Sequence, residues 1–271
     1  MLPMSVHTVN YFSHPIGMQS AMIVILPDGP GPFPVVYQLH GQSDDHTGWL
    51  RWTTIERHAA RLGIAIVLLN GARSFYCDTP GTNRLWEQHI LKSVEFVDQT
   101  FHTIIAAKHR GIGGLSMGGY GAMKTALAHP EIFGSCVSHS GAVDMAQWMA
   151  TDNEPDLRDI WPSGRLPAHD DIRKLLAKPG KKPAMYIDCG SEDYLLAQNH
   201  TIKADLVKRE IPHIYLEYPG AHTWDYWQAH VGEGLDFHAG HFYIQTEKTA
   251  RRTLKAGPQK AISQRRAQPR G

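Results

Sequence analysis

The sequence has no long hydrophobic run and few cysteines, and each shortage argues against a class of function. No apolar stretch approaches the roughly 18 residues of a transmembrane helix, so we expect no membrane partner. The three cysteines, Cys77, Cys136 and Cys189, include no C-x-x-C pair, which disfavours a metal or redox site and predicts free thiols. The start, MLPMSVHTVNYFSHPIG, lacks a basic segment followed by an apolar stretch, so we expect a cytoplasmic location without a signal peptide.

Charge is nearly balanced over the chain but unevenly placed along it. The formal net charge is +1, yet the segment from Glu247 onward holds eight Lys or Arg residues and a single acid. This segment has few large apolar residues, so we predict a basic, flexible C-terminal tail over 247–271. A basic run alone is weak evidence for nucleic-acid binding, and we expect no nucleic-acid partner. The remaining residues, 1–246, are predicted to form one globular domain.

Short apolar runs bounded by Gly or Pro alternate with helical patterns along this domain. Runs such as VVYQL, IAIVLL and MYID are typical of strands buried on both faces of a parallel sheet. The predicted strands are 22–26, 35–39, 64–69, 111–115, 135–138, 184–188 and 214–217, and the predicted helices are 52–62, 85–100, 118–128, 199–209 and 223–231. The active groups of such a sheet lie on loops beyond the carboxyl ends of its strands.

The alternation breaks between Gly141 and Lys182. This stretch contains four prolines, two tryptophans and many charges, which predicts an irregular insertion at about 142–182. Loops of this length are often functional. Covering the pocket and covering only the protein surface are equally supported roles for it.

Residues 113–122, GGLSMGGYGA, place one serine among several glycines. A phosphate-binding loop is disfavoured, because Met123 stands where G-x-x-x-x-G-K-[ST] requires its second glycine. The stretch from Gly114 to Gly118 instead matches G-x-S-x-G, the nucleophile elbow of a strand-turn-helix unit. A predicted strand precedes Ser116 and a predicted helix follows it, so Ser116 is the candidate nucleophile.

A serine nucleophile needs a base and an acid that orients the base. The elbow predicts the chain order Ser, then Asp or Glu, then His. Asp193 follows the strand AMYID and is our candidate acid, with Glu192 its nearest competitor and Asp188 assigned to the strand itself. His222 follows the strand HIYLEY and a Pro-Gly turn, and it is the candidate base.

The reaction also requires N–H donors for the oxygen that becomes negative. We predict that the backbone amides of Met117, after the nucleophile, and of Gln42, after an early strand, form this oxyanion hole. His40, beside that loop, is expected to have a structural role.

These motifs are similar to those of a known family. LHG followed by Trp49, GLSMGGYGAMKTALAHPEIF, SHSGAVD, DCGSEDYLLAQN and YPGAHTWDYWQAH resemble the esterase D type esterases of the α/β-hydrolase superfamily, especially bacterial tributyrin and acetyl esterases. The resemblance covers roughly residues 11–238. It implies a single-domain α/β-hydrolase fold with a mostly parallel central sheet flanked by helices. It also implies the same triad and amides, and substrates among short acyl esters, acetylated or feruloylated sugars and S-formylglutathione.

We therefore expect a serine carboxylesterase that acts on a small-molecule ester, without cofactor or metal. An S-formylglutathione hydrolase or other thioesterase, an acyltransferase and a noncatalytic binding module on the same scaffold are the alternatives, and a homo-oligomer is left open. The predicted substrate-binding residues are Trp49, Tyr120, Trp224 and Trp227, although packing beneath the active loops is an equal interpretation for the tryptophans. Gln42 departs from the apolar residue of many relatives, which leaves the polarity of the pocket in question.

Overall fold

An eight-stranded, mostly parallel sheet forms the centre of the protein. The computed structural model describes the backbone of residues 4–151 and 155–255, and the side chains of these residues up to 243. The sheet contains β1 (Met4–Ser13), β2 (Met18–Pro27), β3 (Val35–Leu39), β4 (Ala65–Leu69), β7 (Arg110–Leu115), β8 (Ser135–His139), β9 (Ala184–Gly190) and β10 (Ile214–Tyr218), while β5 (Asp78–Thr79) and β6 (Arg84–Leu85) form a separate ribbon. The strand order is β1-β2-β4-β3-β7-β8-β9-β10. The strand pairs β1–β2 and β2–β4 are antiparallel, and the others are parallel.

Helices cover both faces of the sheet. They are α1 (Gly48–Trp52), α2 (Ile55–Leu62), α3 (Trp86–Thr100), α4 (Met117–Ala128), α5 (Met145–Thr151), α6 (Pro155–Ile160), α7 (Ile172–Ala177), α8 (Leu196–Lys208) and α9 (Trp224–Lys255). Side chains of α3, α4, α7 and α8 pack in one hydrophobic core, and those of α1, α2 and α9 pack in a second one on the opposite face. Every residue of β3, β4, β7 and β8 is buried between these layers, which accounts for the largely apolar sequences of β3 and β4. The three cysteines are buried and free, as predicted.

The N-terminal strand β1 is an element that the sequence analysis missed. It pairs antiparallel with β2 over its whole length, from Met4 opposite Pro27 to Ser13 opposite Met18. Most of its residues are exposed or half-buried, because β1 lies at one edge of the sheet. An edge strand needs no continuous apolar run, and this one therefore lacks the signal that identified the central strands.

The last helix, α9, is longer than predicted. The predicted helix ended at 231, just before Gly232 and Gly234. Both glycines instead lie inside the helix where it packs closely: a Cβ at position 232 would lie 2.4 Å from His58, and one at position 234 would lie 2.8 Å from His139. The helix continues through residues 247–255 of the predicted tail, and residues 256–271 lie outside the described part of the chain.

The segment 142–182 contains three short helices, α5, α6 and α7. Residues 152–154 between α5 and α6 lie outside the described residues. The Asp171 carboxylate caps α7 by accepting hydrogen bonds from the amides of Arg173 and Lys174. The segment is thus partly helical rather than wholly irregular.

Within the described ranges, no helix combines the length and the hydrophobicity that crossing a bilayer requires. The cytoplasmic location, the flexibility of the tail and the absence of a nucleic-acid partner stay predictions.

Candidate active site

Ser116 lies on a sharp turn between β7 and α4. Its backbone has φ +53° and ψ −118°, a strained conformation for a residue with a side chain. Gly114 and Gly118 allow this turn, because a Cβ on Gly114 would lie 2.5 Å from the Gly118 carbonyl and one on Gly118 would lie 2.5 Å from Leu39 O. The Ser116 amide donates a hydrogen bond of 3.0 Å to His139 O, which fixes the turn on β8.

A chain of hydrogen bonds links Ser116, His222 and Asp193. His222 Nε2 lies 2.9 Å from Ser116 Oγ, and His222 Nδ1 lies 2.8 Å from Asp193 Oδ2. The three residues follow β7, β10 and β9, so parallel strands bring them to the same edge of the sheet. The Asp193 carboxylate is buried, and its Oδ1 accepts a hydrogen bond of 2.8 Å from the Leu195 amide. This arrangement orients the imidazole to accept the proton of the serine.

The other two acids considered for the triad are placed differently. Glu192 is exposed. Asp188 lies within β9, where its Oδ2 is 2.6 Å from His139 Nδ1 and its Oδ1 accepts a hydrogen bond of 2.9 Å from the Tyr226 hydroxyl. Asp188 and His139 therefore form a separate buried pair beside the turn that carries Ser116.

Two main-chain amides near Ser116 are available for a negatively charged oxygen. Met117 is the first residue of α4, where helical N–H groups lack an acceptor within the helix. Gln42 lies in the loop after β3, and it lines the same cavity as Ser116. In the part of the chain that is described, neither amide donates to a main-chain carbonyl in a loop or turn. The positive end of the α4 dipole also favours negative charge here.

The polar side chain of Gln42 points towards the 142–182 segment. Its Nε2 donates to Asp156 Oδ2 at 2.5 Å, and the same oxygen accepts a hydrogen bond of 2.8 Å from Arg73 Nε. Among the described residues of 142–182, none lines the cavity at Ser116. The segment borders the site through Asp156, and its role in covering the pocket stays a prediction.

His40 fixes the loop that carries the Gln42 amide. Its Nδ1 donates to Gly41 O at 2.7 Å, while its Nε2 accepts the Gly71 amide at 2.9 Å. Burial lowers the pKa of His40, which favours the neutral ring that these two bonds require. This placement matches the structural role expected of His40.

A cavity of about 410 Å³ opens at Ser116. It is lined by Gly41, Gln42, Ser43, Asp44, Arg73, Leu115, Ser116, Tyr194, His222, Thr223, Trp224 and Trp227. A larger cavity of about 650 Å³ lies at the opposite end of the sheet, beside the amino ends of β9 and β10, and does not include Ser116. The smaller cavity is therefore the candidate substrate site.

Two of the four predicted substrate-binding aromatic residues reach this cavity, and two do not. Trp224 and Trp227 line it, with ring centroids 5.3 Å apart in an edge-to-face arrangement. Trp49 is buried, and its Nε1 donates to Leu39 O at 2.9 Å. Tyr120 is also buried, and its hydroxyl donates to Asp170 O at 2.7 Å. The structure corrects the prediction for Trp49 and Tyr120, because interior packing removes both rings from the cavity.

The sequence analysis missed Asp44, Arg73 and Tyr194 in the cavity lining. Tyr194 directly follows Asp193, and its exposed ring lies 4.6 Å from the His222 ring. Burial and the Asp193 charge raise the pKa of Tyr194, against the effect of a hydrogen bond with Ser116. Adjacency to Asp193 was an available signal for Tyr194, whereas Arg73 had no motif beside it.

The chain is similar to known proteins in both sequence and structure. The family described as "Putative esterase" matches residues 13–237. An acetyl esterase of Caldicellulosiruptor saccharolyticus is 25% identical over 262 residues, which cover 86% of this chain and 98% of that protein.

Two solved structures from Staphylococcus aureus are similar over 88% of this chain and 99% of their own chains. The fluorophosphonate-binding serine hydrolase FphF is 27% identical with a TM-score of 0.81, and the S-formylglutathione hydrolase FrmB is 27% identical with a TM-score of 0.80. These likenesses confirm the predicted α/β-hydrolase fold.

Proposed function

The chain belongs to the "Putative esterase" family and is a serine carboxylesterase, and from this premise we propose that it hydrolyses short-chain acyl esters through Ser116, His222 and Asp193. The observation that carries the proposal is the hydrogen-bond chain from Asp193 through His222 to Ser116 Oγ, on a strained turn that faces a cavity. A strained backbone conformation destabilises the folded protein, and such conformations cluster at active sites, which supports the assignment of Ser116 as the nucleophile.

In the proposed reaction, His222 Nε2 accepts the Ser116 proton as Oγ attacks the ester carbonyl. The Gln42 and Met117 amides hold the oxygen of the tetrahedral intermediate, and His222 then protonates the departing alcohol. Water attacks the acyl-enzyme with His222 again acting as base, which releases the acid and restores the serine. Asp193 keeps the proton on His222 Nδ1 and stabilises the imidazolium form.

Replacement of the nucleophile tests the proposal. Ser116→Ala should lower kcat for p-nitrophenyl acetate by at least about 10,000-fold, the scale seen when a triad nucleophile is removed. Ser43→Ala is a matched control, because Ser43 lines the same cavity but is not a member of the proposed triad. Substantial hydrolysis by a folded Ser116→Ala protein would contradict the assignment.

A thioesterase is the second candidate function, and the 27% identity to the S-formylglutathione hydrolase FrmB supports it. The relevant measurement compares kcat/KM for S-formylglutathione with that for acetyl to octanoyl esters of one alcohol. A kcat/KM that is higher for the thioester than for all esters would replace the carboxylesterase proposal with a thioesterase.

A noncatalytic binding module is the alternative from another class. A fluorophosphonate probe separates it from an enzyme, since only an activated serine reacts. We expect stoichiometric labelling of Ser116 in the wild type and no labelling of Ser116→Ala, and an unlabelled wild type would favour the binding module.

A further inference from the structure

A carboxylate lines the substrate cavity together with the nucleophile, and the triad mechanism does not use it. Asp44 lines the cavity with Ser116 and His222. A Cβ added at Gly41 would lie 3.7 Å from Asp44 Oδ2 and 3.8 Å from Ser116 Cβ. Asp44 and Ser116 therefore both lie near Gly41 and line the one cavity in which the ester would bind.

Trp224, one of the two tryptophans that line the cavity, lies beside this carboxylate. Gly48 leaves room for the contact: a Cβ there would lie 3.1 Å from Trp224 Cζ2 and 3.4 Å from Asp44 Oδ1. Trp227 continues the aromatic wall from Trp224 towards His222, whose ring lies 4.9 Å from that of Trp227. One wall of the cavity thus combines a negative charge with aromatic surface.

The charge of Asp44 is not cancelled by an ion pair within the described residues. Arg73 also lines the cavity, but its guanidinium is bound to Asp156 at 2.8 Å. Burial and the neighbouring Asp45 charge raise the pKa of Asp44, and the opposing effect of Arg51 is smaller. Arg51 is exposed and lies over the Trp52 ring at 5.8 Å. A bound substrate therefore meets an uncompensated carboxylate on the Trp224 side of the cavity.

We propose that Asp44 and Trp224 form a subsite that selects esters whose alcohol part carries a positive charge over neutral and anionic esters. This inference rests on the proposed esterase function. With a short acyl group, the alcohol part is the portion that fills the remaining cavity, so it meets Asp44. A carboxylate attracts a cation by Coulomb interaction, an aromatic wall adds cation–π attraction, and both disfavour an anion.

Three acetate esters of similar size test the subsite. Acetylcholine is cationic, 3,3-dimethylbutyl acetate is its neutral isostere, and 4-acetoxybutyrate is anionic. Hydrolysis is followed in a pH-stat at pH 8 and low ionic strength, where Asp44 is ionised. We expect kcat/KM of the wild type to be about fivefold higher for the cationic than for the neutral ester, and lower again for the anion. Raising the salt concentration to about 0.5 M should bring the three values together.

Asp44→Asn removes the charge while keeping the shape of the side chain, and should reduce the cationic-to-neutral ratio to about one. Asp45→Asn is the matched control: the neighbouring Asp45 is exposed and accepts hydrogen bonds from Thr47, so the ratio should stay as in the wild type. The readout is a ratio within one protein, so it does not depend on the active fraction.

A wild type without cation preference, or an Asp44→Asn protein that keeps the preference, would overturn the inference. Either result overturns the inference as long as the protein hydrolyses p-nitrophenyl acetate. If the wild type hydrolyses no ester at all, the proposed function itself has failed, so the two failures are distinguishable.

Discussion

Lys124 Nζ lies 3.4 Å from Asp170 Oδ1 in the interior, and it also forms an ion pair with Glu87. Lys124 belongs to α4, the helix that begins after the nucleophile, whereas Asp170 belongs to the 142–182 segment and Glu87 to α3. Burial alone would lower the pKa of Lys124, but the neighbouring acidic groups outweigh it and raise that pKa. The buried Lys124 cation therefore links the 142–182 segment and α3 to α4, the helix that begins directly after Ser116.

Replacing Lys124 with Met should be strongly destabilising. The change leaves two buried carboxylates without their cation, and removal of one partner of a buried pair typically costs about 3–5 kcal/mol. Urea denaturation measures the difference in the free energy of unfolding. Lys92→Met is the control, because the Lys92–Glu95 pair is exposed and should contribute less than about 1 kcal/mol. Equal effects of the two substitutions would contradict the role assigned to Lys124.

The lowered pKa of Glu87 predicts that part of the free energy of unfolding depends on pH. Burial alone would raise its pKa, but Lys124 and His129 outweigh this effect and lower the pKa from 4.5 to about 2. A pKa that is lower in the folded than in the unfolded protein stabilises the folded state above pH 4.5, and this contribution disappears as the pH falls towards 2. The contribution is on the order of 3 kcal/mol. The difference in unfolding free energy between wild type and Glu87→Gln should therefore shrink from pH 6 to pH 2.5, and a difference independent of pH would refute this account.

The sequence identified the three strands that precede Ser116, Asp193 and His222, although the strand before His222, β10, is a mostly exposed edge strand. The clearest signal was the continuous apolar run of buried strands such as β3 and β4. That signal is absent from the edge strand β1, whose exposed residues need no such run. The continuation of α9 beyond 231 was also missed, and there Gly232 and Gly234 lie inside the helix and allow close packing against His58 and His139.

The cavity lining was harder to predict than the triad. Trp49 lies in the first turn of α1 and Trp224 begins α9. Both lie near the site, yet only Trp224 reaches the cavity. Which ring is buried depends on packing between elements far apart in the chain. Asp44 shows the same limit, since its place in the cavity depends on how the loop after β3 packs beside Trp224.

His40 offers a test of how the oxyanion loop is held. His40→Ala removes the donor to Gly41 O and the acceptor of the Gly71 amide, which should displace the Gln42 amide and lower kcat for p-nitrophenyl acetate about 10- to 100-fold. KM should change much less, because His40 does not line the cavity. His46→Ala, in the same loop but outside the cavity lining, is the control. A rise in KM without a fall in kcat would indicate a binding rather than a positioning role for His40.

Two substitutions at Gln42 distinguish the role of its main-chain amide from that of its side chain. The proposed oxyanion hole uses only the N–H of Gln42, while its side chain bonds to Asp156. Gln42→Ala retains the amide and should change kcat less than about threefold. Gln42→Pro removes the N–H and should lower kcat by about 100- to 1,000-fold, the usual effect of losing one such donor. Thermal unfolding checks that both variants are folded, and similar kcat values for folded Ala and Pro variants would exclude the Gln42 amide from the reaction.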